Sequence, residues 1–130
     1  MNQIRTYLLQ LGRVLLVFVF LINGFGIVSP AMAIHEMTAK GIPVHLALLL
    51  SIAARIIDVV AGLCLILGIW RRFCALALIG FLIPATLIAH AFWSAPDAIF
   101  QIQLINFFKN LAIMGGLLLI AVSRRPIEHV

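Results

Sequence analysis

Four apolar runs, each long enough to cross a lipid bilayer, constrain the fold of this chain more than any other feature. They cover approximately residues 7–28, 44–70, 73–93 and 104–122. A helix needs about 20 residues to cross the hydrocarbon core, and these runs are continuous, without the alternation typical of membrane strands. The pattern predicts an all-α fold, a bundle of four antiparallel transmembrane helices forming a single domain over residues 1–130.

Composition excludes a soluble domain. Of the 130 residues, 65% are hydrophobic and 10% are charged, which is too little polar surface to cover a globular protein. A net charge of +5 would suggest nucleic acid as the partner of a soluble protein, but here the basic residues stand at the ends of apolar runs. We therefore expect the lipid bilayer as their partner, and no nucleic acid.

The first run needs to be distinguished from a secretory leader. Ala31-Met32-Ala33 has the form of a signal-peptidase site. The apolar run before it is longer than the hydrophobic region of a usual signal peptide. We interpret the run as a span that is kept, with cleavage as the alternative.

The basic residues also predict an orientation. If the N-terminus is cytoplasmic, a four-span path puts six arginines on or near the cytoplasmic side, whereas only Lys40 falls in an outer loop. The six are Arg5, Arg13, Arg71, Arg72, Arg124 and Arg125. This bias predicts that both termini are cytoplasmic.

Two charged residues lie near the middle of the second span, where charge is costly. Arg55 and Asp58 are three residues apart, so they share a helix face and can form an ion pair. Ser51, Ala61 and Gly62 fall on the same face and suit close helix packing. Two interpretations stay open: an ion pair that only fixes the packing, and a site that binds a ligand or handles protons.

His90 on the third span and Lys109 on the fourth lie at similar depths towards the outer side. If both face inward, they form an electropositive pocket with Arg55 and Asp58 that suits an anionic or quinone-like headgroup. The alternatives are a single interhelical hydrogen bond for His90 and a lysine that extends to the lipid headgroups. Secondary candidates for the site are Arg13, Asn23, Asn106 and Asn110. Arg13 lies either at the membrane surface or reaches towards Asp58.

No catalytic or compact metal-binding motif is found in the sequence. Cys64 and Cys74 lack a CxxC spacing and flank a link on the predicted cytoplasmic side, so we interpret them as packing residues. His35, Glu36 and His45 match no metal-ligand spacing. We predict no metal site, and the residues leave open whether the chain contributes to catalysis.

Short motifs follow one another in a fixed order along the chain. They are LGR at 11–13, NG at 23–24, MTAKGIP at 37–43, AGL at 61–63, LG at 67–68, HAFW at 90–93 and FFKNLAIMGGL at 107–117. In this order the chain resembles the DoxX family of small bacterial membrane proteins. The chain departs from the family pattern, which often has glutamate at Asp58, paired glycines at Ala61-Gly62, histidine at Asn23 and lysine near Ile27. The missing histidine and lysine weaken the transfer of any site from the first span.

The resemblance implies a four-span bundle in the bacterial cytoplasmic membrane. Relatives are linked to quinone-coupled sulfur oxidation and to assemblies that handle oxidative stress. The leading hypothesis is therefore a subunit that binds a quinone or similar amphiphile, or docks a redox partner, without doing chemistry alone. It would be an accessory subunit of a membrane oxidoreductase, and a homo-oligomer is compatible with it. The alternatives are a small transporter or permeation module and a purely structural membrane partner with no ligand.

Overall fold

A computed structural model describes residues 3–123, and this part of the chain is helical with no strand. Its helices are α1 (Gln3–Gly24), α2 (Pro30–Ala39), α3 (Val44–Leu67), α4 (Arg71–Ala89) and α5 (Asp97–Val122), with a 3₁₀ turn at Phe92–Ser94 before α5. Four segments are long and apolar enough to cross a membrane: α1, α3, the stretch Arg71–Ser94 that contains α4, and α5. The predicted all-α architecture with four spans is confirmed.

The helix ends differ from the predicted spans because capping, rather than hydropathy, decides where a helix stops. α1 begins at Gln3 and ends at Gly24, four residues before the apolar run does. α5 begins at Asp97, well before residue 104, because Pro96 precedes it and the Asp97 carboxylate suits the positive end of a helix dipole.

The segment between the first two spans contains a short helix. Pro30–Ala39 forms α2. Proline is tolerated in the first helical turn because it lacks an N–H, and the N–H groups of that turn have no partner within the helix. The helix ends where Gly41 takes the left-handed conformation at φ +87°. Its N–H donates to Thr38 O at 3.0 Å, and the next N–H donates to Met37 O at 3.1 Å.

The bundle core is small, and most large apolar side chains face outward. α1 packs mainly on α3, α4 packs on both α3 and α5, and α2 lies against α3 and α4. Val17, Leu65, Leu78 and Leu117 are fully buried where these helices meet. Outward-facing leucine and isoleucine are expected where lipid is the solvent.

The orientation stays a prediction. Arg124 and Arg125, two of the six arginines that support it, lie outside the described residues.

Candidate functional site

α1 ends opposite the middle of α3, and Gly24 makes this close approach possible. A Cβ at position 24 would lie 2.5 Å from Cγ2 of Val59 and 3.1 Å from the backbone oxygen of Arg55. Gly24 is itself buried. The end of α1 is therefore held directly against the turn of α3 that carries the charged candidates.

The C-terminus of α1 closes with a Schellman motif that leaves one carbonyl for a side chain. The N–H of Gly26 donates to Asn23 O at 3.0 Å, and that of Ile27 donates to Ile22 O at 3.0 Å. The next carbonyl, on Gly24, accepts a hydrogen bond from Nε of Arg55 at 3.2 Å. A cation is favourable here because the C-terminal end of a helix carries partial negative charge.

Gly26 leaves room for the Arg55 guanidinium as well as making the turn. Its φ is +78°, a conformation that few residues other than glycine adopt. A Cβ at this position would lie 2.8 Å from Nη2 of Arg55. The arginine therefore occupies the break between α1 and α2.

Asp58 is fully buried and bonds to α1 rather than to Arg55. Its Oδ2 accepts a hydrogen bond from Nδ2 of Asn23 at 2.5 Å, while Oδ1 is buried with no hydrogen-bond partner within the described chain. The Arg55–Asp58 ion pair that the sequence suggested is absent from residues 3–123. Each side chain instead bonds to a different group at the end of α1, because Gly24 lets that end pack directly against the turn of α3 that carries both.

A cavity of about 500 Å³ lies beside this break, between α2, α3 and α4. Its room comes from small residues on α3 and α4, among them Ala53, Ala54, Ala77, Gly80 and Ala85. Pro84 also lines it and has no N–H to donate to the Gly80 carbonyl, which removes one helical hydrogen bond next to the cavity.

Four polar side chains line this largely apolar cavity, namely Asn23, Glu36, Ser51 and Arg55. Ser51 and Arg55 are one helical turn apart on α3 and supply hydrogen-bond donors. Neither the Ser51 hydroxyl nor the Glu36 carboxylate bonds to another residue between 3 and 123. Asn23 joins the two parts of the region, because it lines the cavity and also donates to Asp58. We call this region the α1-break site. It consists of the cavity between α2, α3 and α4 and the polar residues Asn23, Glu36, Ser51, Arg55 and Asp58.

His90 and Asn110 belong to a different place, the contact between α4 and α5. Nδ1 of His90 is 2.8 Å from Oε1 of Gln103. Nδ2 of Asn110 donates to the hydroxyl of buried Thr86 at 2.9 Å. Both hydrogen bonds link α5 to α4 or to the residue that follows it. Neither His90 nor Asn110 lines the cavity beside α2.

Lys109 and Asn106 do not join the α1-break site either. Lys109 is exposed on α5, and Asn106 is half-buried there. Within the described residues, neither side chain has a hydrogen-bond partner. The pocket expected from Arg55, Asp58, His90 and Lys109 together is therefore not assembled by this fold.

Arg13 points to the far end of α3, away from Asp58. Its Nη2 donates to Oε1 of Gln10, and Nε2 of Gln10 donates to Ile66 O at 2.8 Å. A Cβ at Gly68, the residue that ends α3 at φ +76°, would lie 3.3 Å from Nη1 of Arg13. Arg13 thus lies at the C-terminal end of α3, as Arg55 lies at that of α1.

Sequence reasoning missed Glu36, Gln103 and the role of Gly26. Glu36 was considered only as a metal ligand, and no group of three or more metal-ligating side chains occurs among the described residues. The Gly24-Phe25-Gly26 sequence inside an apolar run was a usable signal for a helix break. Gln103 stood outside the predicted fourth span, so its depth was not considered.

The fold and the α1-break site define a class: a four-span helical membrane protein whose first transmembrane helix ends against an arginine of the next. The DoxX family model matches residues 8–91, and the chain belongs to this family.

The chain is also similar to the inner membrane protein YphA of Escherichia coli (strain K12). The two are 30% identical over 124 residues, which is 92% of this chain and 84% of the relative. No solved structure gives a significant match. The relative and the four apolar helices support a multi-pass inner membrane protein.

Proposed function

We propose that this protein is a membrane subunit that binds a small amphiphile with a hydrogen-bond-accepting headgroup, such as a quinone, at the α1-break site. The observation that carries the proposal is the cavity of about 500 Å³, lined mostly by apolar residues, with Arg55 and Ser51 on one wall. Ligand pockets generally combine an apolar lining with a few polar groups that orient the ligand.

The polar groups have distinct roles in this proposal. The Arg55 N–H groups that have no partner within residues 3–123 and the hydroxyl of Ser51 donate to the headgroup, while the apolar residues of α2 and α4 contact its tail. Asn23 links the headgroup region to Asp58, which makes Asp58 a positioning residue or a proton acceptor. Because His90 and Lys109 lie outside the cavity lining, the proposal rests on Arg55.

An accessory role follows from what the site contains. It supplies hydrogen-bond donors and a buried carboxyl group, which suit the binding of a headgroup. We therefore propose that any electron transfer involves a redox partner protein, with this chain supplying the place where the amphiphile binds.

Decylubiquinone binding to the purified protein in mild detergent tests the proposal, measured by isothermal titration calorimetry and native mass spectrometry. Gly80→Leu is the main variant, because Gly80 lines the cavity and no atom lies within 4 Å of an added Cβ. Gly115→Leu is its matched control, since its Cβ also meets nothing within 4 Å and it lies outside this cavity.

We expect wild type and Gly115→Leu to bind alike, and Gly80→Leu to bind at least about tenfold more weakly, a difference of about 1.4 kcal/mol. Arg55→Gln should also weaken binding. Equal binding by both glycine variants, or no binding by wild type beyond partition into empty micelles, contradicts the proposal. A purely structural role for the α1-break site would then be favoured.

A further inference from the structure

At the opposite end of the bundle, the arginines have no acidic neighbour among residues 3–123. Arg71 and Arg72 begin α4, and Arg13 lies close by at the end of α3. None of the three forms an ion pair within residues 3–123. Asp97 lies at the opposite end of α5 from these arginines. The helix has 26 residues and is therefore about 39 Å long, at about 1.5 Å per residue. The other acidic residues of the described chain are Glu36 and Asp58, both at the α1-break site.

Two cavities flank Arg71 at this end. One, of about 540 Å³, lies between residues 70–73 and residues 120–123 at the end of α5. The other, of about 370 Å³, lies between α1 and α5 and is lined by Arg13 and Gly12 among others. Arg71, Ile120 and Ser123 line both, so the half-buried Arg71 side chain stands between the two cavities.

Arg13 presents a donor that no group within residues 3–123 satisfies. Gln10 fixes the guanidinium through one terminal nitrogen, but Nε is buried with no hydrogen-bond partner in residues 3–123. A buried guanidinium N–H without an acceptor is unusual in a folded protein and requires an explanation. Arg13 also lines the adjoining cavity, where an anion would supply the countercharge that residues 3–123 do not provide.

The surroundings indicate which anion fits. Arginine forks match phosphate oxygens in a bidentate geometry. Phe73, Trp70 and Val122 expose large apolar surfaces around the first cavity, and tryptophan is typical of the membrane–water interface. Basic pockets between transmembrane helices are characteristic sites for acidic lipid headgroups.

We propose that an anionic phospholipid binds at these two cavities, which we call the arginine-end cavities. Its phosphate contacts Arg71, which lines both cavities, and Arg13 and Arg72 lie on either side. The acyl chains lie along the exposed apolar surface of α4 and α5. This lipid site is independent of the α1-break site and of the amphiphile proposed there.

Native mass spectrometry of the full chain in mild detergent tests this proposal, with phosphatidylglycerol and phosphatidylcholine added at equal concentration. We expect phosphatidylglycerol to be retained at least about tenfold more often than phosphatidylcholine. Arg71→Gln should remove most of this preference. Lys109→Gln is the matched control, because it deletes one positive charge from an exposed position outside both cavities.

A second variant covers the case in which Arg71→Gln does not fold. Gly12→Leu leaves the charge unchanged and fills the cavity between α1 and α5, since nothing lies within 4 Å of a Cβ there. It should lower phosphatidylglycerol retention, whereas Gly115→Leu should not. Equal retention of the two lipids by wild type, or equal losses in Arg71→Gln and Lys109→Gln, overturns the proposal.

Inorganic phosphate distinguishes a lipid from a soluble ligand of the same chemistry. In a competition at millimolar phosphate, we expect phosphatidylglycerol to stay bound because its acyl chains contribute to affinity. Displacement by phosphate alone shows that the site serves a soluble phosphate compound, which also overturns the assignment to a phospholipid.

Discussion

Arg55 on α3 donates from Nε to the carbonyl oxygen of Gly24, 3.2 Å away, and so closes the end of α1. This bond satisfies a helix-end carbonyl inside the membrane region, where unsatisfied backbone groups are costly. It also places a cation at the negative end of the α1 dipole. The first transmembrane helix can therefore end opposite the middle of α3 without a water-exposed terminus.

Replacement of Arg55 should loosen the break between α1 and α2. Arg55→Met keeps much of the side-chain stem but loses the bond to Gly24, and we expect a loss of about 1–2 kcal/mol in stability. Hydrogen exchange in detergent should show faster exchange of the Gly26 and Ile27 amides. Unchanged exchange at both positions contradicts a capping role for Arg55.

Asn23→Ala should destabilise the protein through Asp58. The substitution leaves the fully buried carboxyl group without its one hydrogen-bond donor, since Oδ1 is already unpartnered in residues 3–123. The expected cost is about 1–3 kcal/mol, measured by denaturant unfolding in detergent. Asn106→Ala serves as the control, and we expect it to change stability by less than about 0.5 kcal/mol. Similar losses in both variants indicate that the Asn23–Asp58 bond contributes little.

Gly24→Ala should force α1 away from α3, because its Cβ would lie 2.5 Å from Cγ2 of Val59. Overpacking of this kind costs about 1–3 kcal/mol. Adding Val59→Ala should recover part of the loss, but not all, since the Arg55 backbone oxygen would still be 3.1 Å away. Gly12→Ala, with nothing within 4 Å, is the neutral comparison. If Gly24→Ala unfolds at the same denaturant concentration as Gly12→Ala, the close contact between α1 and α3 at Gly24 does not contribute to stability.

Thr86 and Asn110 should be energetically coupled across α4 and α5. A double-mutant cycle of Thr86→Val and Asn110→Ala isolates their 2.9 Å hydrogen bond. We expect a coupling of about 0.6 kcal/mol, the usual size for such bonds between membrane helices, with about 1.7 kcal/mol as the upper end. Strictly additive losses show that the bond contributes nothing to stability.

Reporter fusions test the predicted orientation. A green fluorescent protein fused after Val130 should fluoresce, and alkaline phosphatase fused there should be inactive, because the arginine bias predicts a cytoplasmic C-terminus. Phosphatase inserted at Ser94, in the predicted outer loop before α5, should be active. The reverse pattern places the arginine end of the bundle outside the cytoplasm.

Local interactions explain where the sequence prediction succeeded and where it did not. The long apolar runs required helices, since only helices or closed barrels satisfy the backbone in lipid. Polar residues inside those runs could be recognised as candidates for a site, and Arg55, Asp58 and Asn23 do meet in the fold. Helical spacing suggested an Arg55–Asp58 pair, but spacing on one helix does not reveal how closely a second helix approaches.

The sequence by itself determined that this is an all-α membrane protein with four spans and charged residues inside three of them, because hydropathy and length are properties of each segment alone. Only the tertiary structure decided which of those charges meet. The contact of Gly24 with α3 gave Arg55 and Asp58 separate partners, the helix α2 covered a cavity beside them, and Lys109 was left exposed. These outcomes depend on contacts between helices distant in the chain, which no single segment specifies.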